Sequence, residues 1–227
     1  MDRKMMLLAA AATSAALFAM PAVSSAGEWT AHNATGKTFT SITKVNNPVW
    51  RVANTDVVTC TGVTGGGEYT STITGTIALD FTGCIDNTFG FTCKSTGAVT
   101  AGTIQIPSKV FHNVIIGNGA DSGTPIGMLV TGGNELVTFT CGGVLTFKVT
   151  GNMIGEFETP NCGVAGTTYN VNFEPEVPGS TRQRFMQITT TGGLFDLISE
   201  VGGTQYTTSL QLTGQIHLSG AVTPTCS

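Results

Sequence analysis

The sequence predicts an all-β protein, an antiparallel β-sandwich or barrel of roughly ten or more strands, stapled by disulfides. Three observations carry that expectation. First, from Tyr69 to Phe81 the odd positions read Tyr69, Ser71, Ile73, Gly75, Ile77, Leu79 and Phe81, while Thr70, Thr72, Thr74, Thr76, Ala78 and Asp80 fill the even ones. A period of two gives a strand with one dry and one wet face. Second, glycine is abundant, 30 of 227 residues, and it clusters between short runs rich in Val, Ile and Thr, the pattern of strands joined by tight turns. Third, there are six cysteines, Cys60, Cys84, Cys93, Cys141, Cys162 and Cys226. An even number in an exported chain reads as a disulfide framework.

Export is read from the N-terminus. Arg3 and Lys4 precede an apolar run from Met5 to Met20, Pro21 breaks it, and Ser24-Ser25-Ala26 places small residues before a cleavage point. Charge, apolar core and small-residue exit make residues 1–26 a cleavable signal peptide. The run is shorter than the roughly 20 apolar residues of a membrane span, and no cysteine follows it for acylation. Residues 27–227 are then a single secreted β-domain, located outside the cell or in its envelope, with no transmembrane helix after cleavage.

Within that domain, strands are expected at Phe39–Lys44, Val57–Thr61, Tyr69–Phe81, Gly102–Ile106, Val110–Ile116, Ile126–Val130, Leu136–Cys141, Val144–Thr150, Met153–Phe157, Tyr169–Phe173, Phe185–Thr189 and Tyr206–Leu218. The expected turns include Gly65-Gly66-Gly67, Gly117-Asn118-Gly119, Gly132-Gly133-Asn134, Gly142-Gly143, Gly151-Asn152, Gly192-Gly193 and Gly202-Gly203. Apolar residues at 194, 197, 198 and 201 leave the segment Leu194–Val201 open between strand and short helix. Residues 174–183 (EPEVPGSTRQ) read as a polar loop within the same domain.

The short Ile85–Thr92 loop favours a local Cys84–Cys93 bridge. A two-residue turn at Gly151-Asn152 would place Cys141 opposite Cys162 as a non-hydrogen-bonded pair, the closer kind, which suits a cross-strand bridge. Cys60 and Cys226 would then remain. A turn at Gly142-Gly143 is the rival register and would separate Cys141 from Cys162.

Charge excludes some functions. Charged residues are 11% of the chain, against roughly 25% in ordinary globular proteins. Losing Asp2, Arg3 and Lys4, one acid and two bases, moves the formal net charge from −4 to −5. No Lys/Arg cluster is present, so nucleic acid is not an expected partner. The serine-hydrolase elbow, the H-E-x-x-H zinc motif and the P-loop are all missing. His32, His112 and His217 are far apart, and no C-x₂-C exists, so no metal, cofactor or catalytic residue is assigned. Glu156 and Glu158 fall on one side of one strand, where a pair serves solvation better than it serves a cleft. Asp80, Asp86 and Asp121 are too scattered for a calcium-loop motif. Trp50 and the hydroxyl row Thr70, Thr72, Thr74 and Thr76 are the surface-binding candidates; outward strand threonine and packed tryptophan are the plainer readings. The expected function is a non-enzymatic extracellular or envelope domain with a binding, adhesion or structural role, its ligand or envelope partner unknown. The alternatives are a small outer-membrane barrel and a secreted hydrolase with a non-motif site.

Overall fold

The computed structural model describes residues 28–52, 56–116, 126–158, 162–183 and 196–225. These hold fourteen strands and no helix. In chain order they are β1 (Thr30–His32), β2 (Thr38–Arg51), β3 (Val57–Thr59), β4 (Gly62–Tyr69), β5 (Thr74–Thr82), β6 (Ile85–Asp86), β7 (Cys93–Ser95), β8 (Ile104–Ile115), β9 (Ile126–Thr131), β10 (Val137–Cys141), β11 (Leu145–Phe157), β12 (Gly166–Phe173), β13 (Leu197–Val201) and β14 (Thr204–Thr225). All pairings are antiparallel, as the sequence predicts.

Eight of the strands, β2, β4, β5, β8, β9, β11, β12 and β14, each pair with the next, and β14 pairs back onto β2. The sheet therefore closes on itself as an up-and-down barrel, which removes the exposed edges an open sheet would carry. Alternation sets the faces. On β5, Gly75, Ile77, Leu79 and Phe81 are buried inside, while Thr74, Thr76 and Asp80 are partly exposed outside. A barrel of about eight strands is just wide enough to be filled by side chains. Phe39, Tyr69 and Phe111 fill this one edge-to-face, with ring centroids 5.0–6.2 Å apart, the arrangement aromatic quadrupoles favour. A residual cavity of about 10 Å³ remains among Trp29, Met128, Phe157 and their neighbours, about the space of one water.

Trp29 closes that end. β1 pairs with Thr223–Thr225 of β14, and Ala31 N donates to Thr72 O (2.7 Å) in the β4–β5 turn, so the segment is held on both sides. The indole donates to Gly127 O of β9 (2.9 Å) and meets Phe157 of β11 edge-on at 5.5 Å. Its polar atom is satisfied, so the ring fills the mouth without an orphan donor.

Four sequence expectations change here. Gly65-Gly66-Gly67 is not a turn but the middle of β4: a Cβ on Gly67 would lie 2.7 Å from the Phe39 ring and closer still to Thr76 O, so the glycines leave room for interior rings. The long strand from Tyr69 begins only at Thr74, because Ser71 Oγ accepts from Thr74 N (3.0 Å) and Thr70 N donates to Thr74 O (3.0 Å), closing a turn. Gly151-Asn152 is not a turn either. Gly151, at φ 94°, is a bend inside β11, where the strand leaves its pairing with β10 and β13 for β9 and β12. The open segment before Val201 resolves as β13 over Leu197–Val201, joined to β14 by Gly202 and Gly203, both at positive φ, the glycine-rich two-residue hairpin turn. Phe185–Thr189 and the turns at 117–119 and 192–193 lie outside the described residues.

β7, β10, β11, β13 and β14 form a smaller sheet that shares β11 and β14 with the barrel. Phe139 and Phe147 stack at 5.2 Å on it. The rival turn at Gly142-Gly143 is the observed one, so Cys141 pairs with Leu145 across that hairpin, not with Cys162. The bridges are Cys60–Cys84 and Cys93–Cys141, which overturns both expected pairings and that of Cys60 with Cys226. Cys84 and Cys93 are neighbours through a backbone bond, Cys93 N to Cys84 O (2.9 Å), but each sulfur turns to another strand. Cys93 and Cys141 sit directly opposite in register with Cα atoms 4.0 Å apart, so the cross-strand geometry is the one expected, on a different partner. Cys162 is also disulfide-bonded; Cys226 lies outside the described residues.

Non-reducing digestion with mass mapping should recover Cys60 linked to Cys84 and Cys93 linked to Cys141; a Cys84–Cys93 peptide would refute this frame. Phe111→Ala, which removes the edge-to-face contacts with both Phe39 and Tyr69, should cost about 3–5 kcal/mol in denaturant unfolding.

Candidate functional site

The disulfide pattern turns an ordinary loop into a fixed one. Residues 85–92 are bounded by Cys84, tied to Cys60, and Cys93, tied to Cys141. Inside it, Asp86 N donates to Phe91 O and Gly90 N to Asp86 O, each at 2.8 Å. Asp86 Oδ1 accepts from Thr88 N (2.7 Å), the side-chain turn that aspartate favours. Gly90 supplies a φ of 71°. Asn87 anchors the loop to β3, N to Val57 O (2.8 Å) and Nδ2 to Thr59 Oγ1 (2.8 Å).

This scaffold presents two phenylalanines to solvent. Phe89 is 57% and Phe91 37% exposed, and their rings stack at 5.6 Å with planes 23° apart. Phe91 rests against Gly142, where a Cβ would lie 2.6 Å from the ring, and Gly142 N donates to Thr92 O (3.1 Å). Ile85 in the same loop and Val144 in the adjoining turn are also exposed. Asn87, Thr88 and Thr92, all uncharged and exposed, surround the rings. Exposed apolar surface concentrated on a rigid element marks a binding site more often than scattered single residues do.

Beneath the loop lies an acidic pair. Asp86 is fully buried, and its Oδ2 has no hydrogen-bond partner. Asp56 bonds the Thr88 side chain, so Thr88 bridges the two carboxylates. Burial first, and then the charge of Asp86, push the Asp56 carboxyl above its ordinary value, while the Thr88 bond pulls it down.

The candidates named from sequence lie elsewhere. Trp50 is wholly buried and packs on Phe81 at 5.2 Å, so it is core and not a surface platform. Thr70 and Thr74 bond to each other (3.2 Å) within the β4–β5 turn, Thr72 sits in that turn, and Thr76 alone lies well along β5, so the four form no flat array. Glu156 lies on β11 and Glu158 one residue past its end, both at least partly exposed. Glu158 accepts from Asn172 and Asn170 (2.9 Å each) and lies 3.5 Å from Lys44 Nζ. The bond from Asn172, more than those from Asn170 and Lys44, holds its carboxyl below the usual range against the opposing effect of burial. Asp80 accepts from Gln105 (3.1 Å), and Asp121 lies outside the described residues. Among the described residues no group of three or more His, Cys, Asp or Glu could hold a metal ion. No sequence expectation names Phe89 or Phe91, although two large apolar side chains in a short polar segment between cysteines are the available signal.

Because the folded Glu158 carboxyl titrates lower than the unfolded one, its stabilising contribution is present above the ordinary value of 4.5 and is lost as pH falls through the folded value. The stability advantage of the native chain over Glu158→Gln should therefore hold near neutrality and close on acidification; an advantage that widens in acid would contradict it.

Comparison of the chain with protein-family models, curated proteins and solved structures finds no match in any of the three.

Proposed function

We propose that this protein is an exported, non-enzymatic binding domain of the extracellular space or the cell envelope, and that it takes its ligand on the Phe89–Phe91 pair. The observation that carries the reading is the exposure of two stacked rings on a loop whose ends are both bridged to other strands. A preformed aromatic surface loses little entropy on binding. The chemistry around it favours a neutral carbohydrate. A sugar ring offers a C–H face to the aromatic rings and hydroxyls to an amide and hydroxyl rim, and the low charge of the chain gives an ionic ligand little to hold. The signal-like N-terminus and the disulfides support an extracytoplasmic setting.

The outward faces of β12 and β14 favour water over lipid on that side of the barrel. Thr168, Asn170 and Asn172 on β12 and Gln211, Thr213 and Gln215 on β14 point away from the core, where a transmembrane barrel would carry an apolar band. No helix among the described residues is long and apolar enough to cross a membrane.

The test is retention of the purified chain on insoluble polysaccharides (cellulose, chitin and peptidoglycan), with a soluble glycan array beside it. Native protein is expected to bind at least one of these. Phe89→Ala and Phe91→Ala should each weaken binding about tenfold, equivalent to about 1.4 kcal/mol, with thermal stability nearly unchanged. Absence of native binding, or equal binding by the double variant, would overturn the proposal.

A further inference from the structure

We infer that Asp56 and Asp86 hold a calcium ion beneath the aromatic loop. The geometry sets out the pieces. Asp86 stands in register with Val58 of β3, and Val58 with Trp50 of β2, so the three form one row across three strands. Asp86 is fully buried there. One of its oxygens takes Thr88 N, and the other finds nothing. A buried carboxylate oxygen without a donor or a cation is unfavourable enough to call for an occupant. Asp56 bonds the Thr88 side chain, feels the charge of Asp86 and is only partly exposed. Among the described residues, no lysine or arginine forms an ion pair with either carboxylate. Two carboxylates thus share one residue, Asp86 through the Thr88 backbone and Asp56 through its side chain, with a vacant oxygen on the buried one.

The donor set selects the ion. Only oxygen is offered: carboxylates from Asp56 and Asp86 and the Thr88 hydroxyl, with no histidine or thiolate among them. That is hard-cation chemistry. Calcium tolerates irregular oxygen geometry and completes its shell with water, whereas magnesium demands a compact octahedron. Two carboxylates balance its charge. So few protein ligands imply weak binding, in the roughly 10⁻⁴–10⁻³ M range of extracellular modules. The inference is independent of the carbohydrate reading, and its test uses no sugar.

Trp50 makes the site observable. Two strand spacings put its backbone about 10 Å from that of Asp86, close enough for the indole to sensitise bound terbium. The full chain, freed of metal by chelation, is titrated with terbium and then with calcium as competitor. The expected result is sensitised emission that calcium displaces, reduced at least tenfold in Asp56→Asn, together with a calcium-dependent rise in the thermal midpoint that Asp56→Asn lacks. Trp50→Phe should lose the emission and keep the calcium-dependent rise. Asp56 carries the test because its partial exposure spares the fold, whereas Asp86 is fully buried and its substitution disturbs packing. Absence of emission and of any midpoint shift would leave a buried water as the occupant of Asp86 and overturn the inference. Emission unchanged by Asp56→Asn would place the ion elsewhere and overturn it equally.

Discussion

The pairing of β2 with β14 is the constraint on which the rest depends. It joins Phe39 to Leu218 at one end and Arg51 to Ser209 at the other, the first long strand to the last. Without it the remaining seven pairings make an open, strongly twisted sheet with two long edges and a half-covered apolar face. With it, one face becomes an interior and the other a surface. The aromatic packing of Phe39, Tyr69 and Phe111, the role of Trp29 at the mouth and the outward polar rows of β12 and β14 follow from that single closure. It also explains the bends within long strands. The β2–β14 register slips near Gln211 and Thr213, and β5–β8 slips between Ile77 and Leu79, irregularities of the kind that let a sheet curve into a barrel.

The scaffold and the site rest on different physics. The barrel is held by apolar burial, spread over many side chains. The aromatic loop has little burial of its own and is fixed instead by two covalent bridges, a glycine turn and the Asn87 bonds to β3. A loop fixed this way tolerates large apolar side chains facing solvent, which a loosely held loop would fold away. A solid interior points the same way: a filled barrel leaves only the surface and the loops open to a partner.

Local pattern was legible in the sequence and distant pairing was not. The alternation of Gly75, Ile77, Leu79 and Phe81 named a strand and its dry face correctly, since both depend on neighbours along the chain. Barrel and sandwich could not be told apart, because they differ in whether residues some 170 apart pair, as Thr43 and Gly214 do, and no local signal encodes that. Glycine misled twice for one reason. At Gly67 and Gly151 it serves close packing and a bend inside a strand, while at Gly142 and Gly202 it serves a turn, and the residue type alone does not separate these uses. Cysteine proximity misled because Cys84 and Cys93 are indeed adjacent in space, but side-chain direction, set by strand register, decides which sulfurs meet. The phenylalanine pair carries no periodic signal, because a loop has no alternation.

The closing seam carries a consequence for how the molecule is made. One half of it is spoken for within the first 51 residues, and its complement is the final strand. A chain made from its N-terminus must therefore wait for that strand before the cylinder shuts, holding apolar strand edges open meanwhile. Both described bridges, by contrast, lie within the first 141 residues and become available while the tail is still in transit. Bridges formed that early would confine the half-made sheet and shield it from other chains, so the staples would serve assembly before they serve endurance.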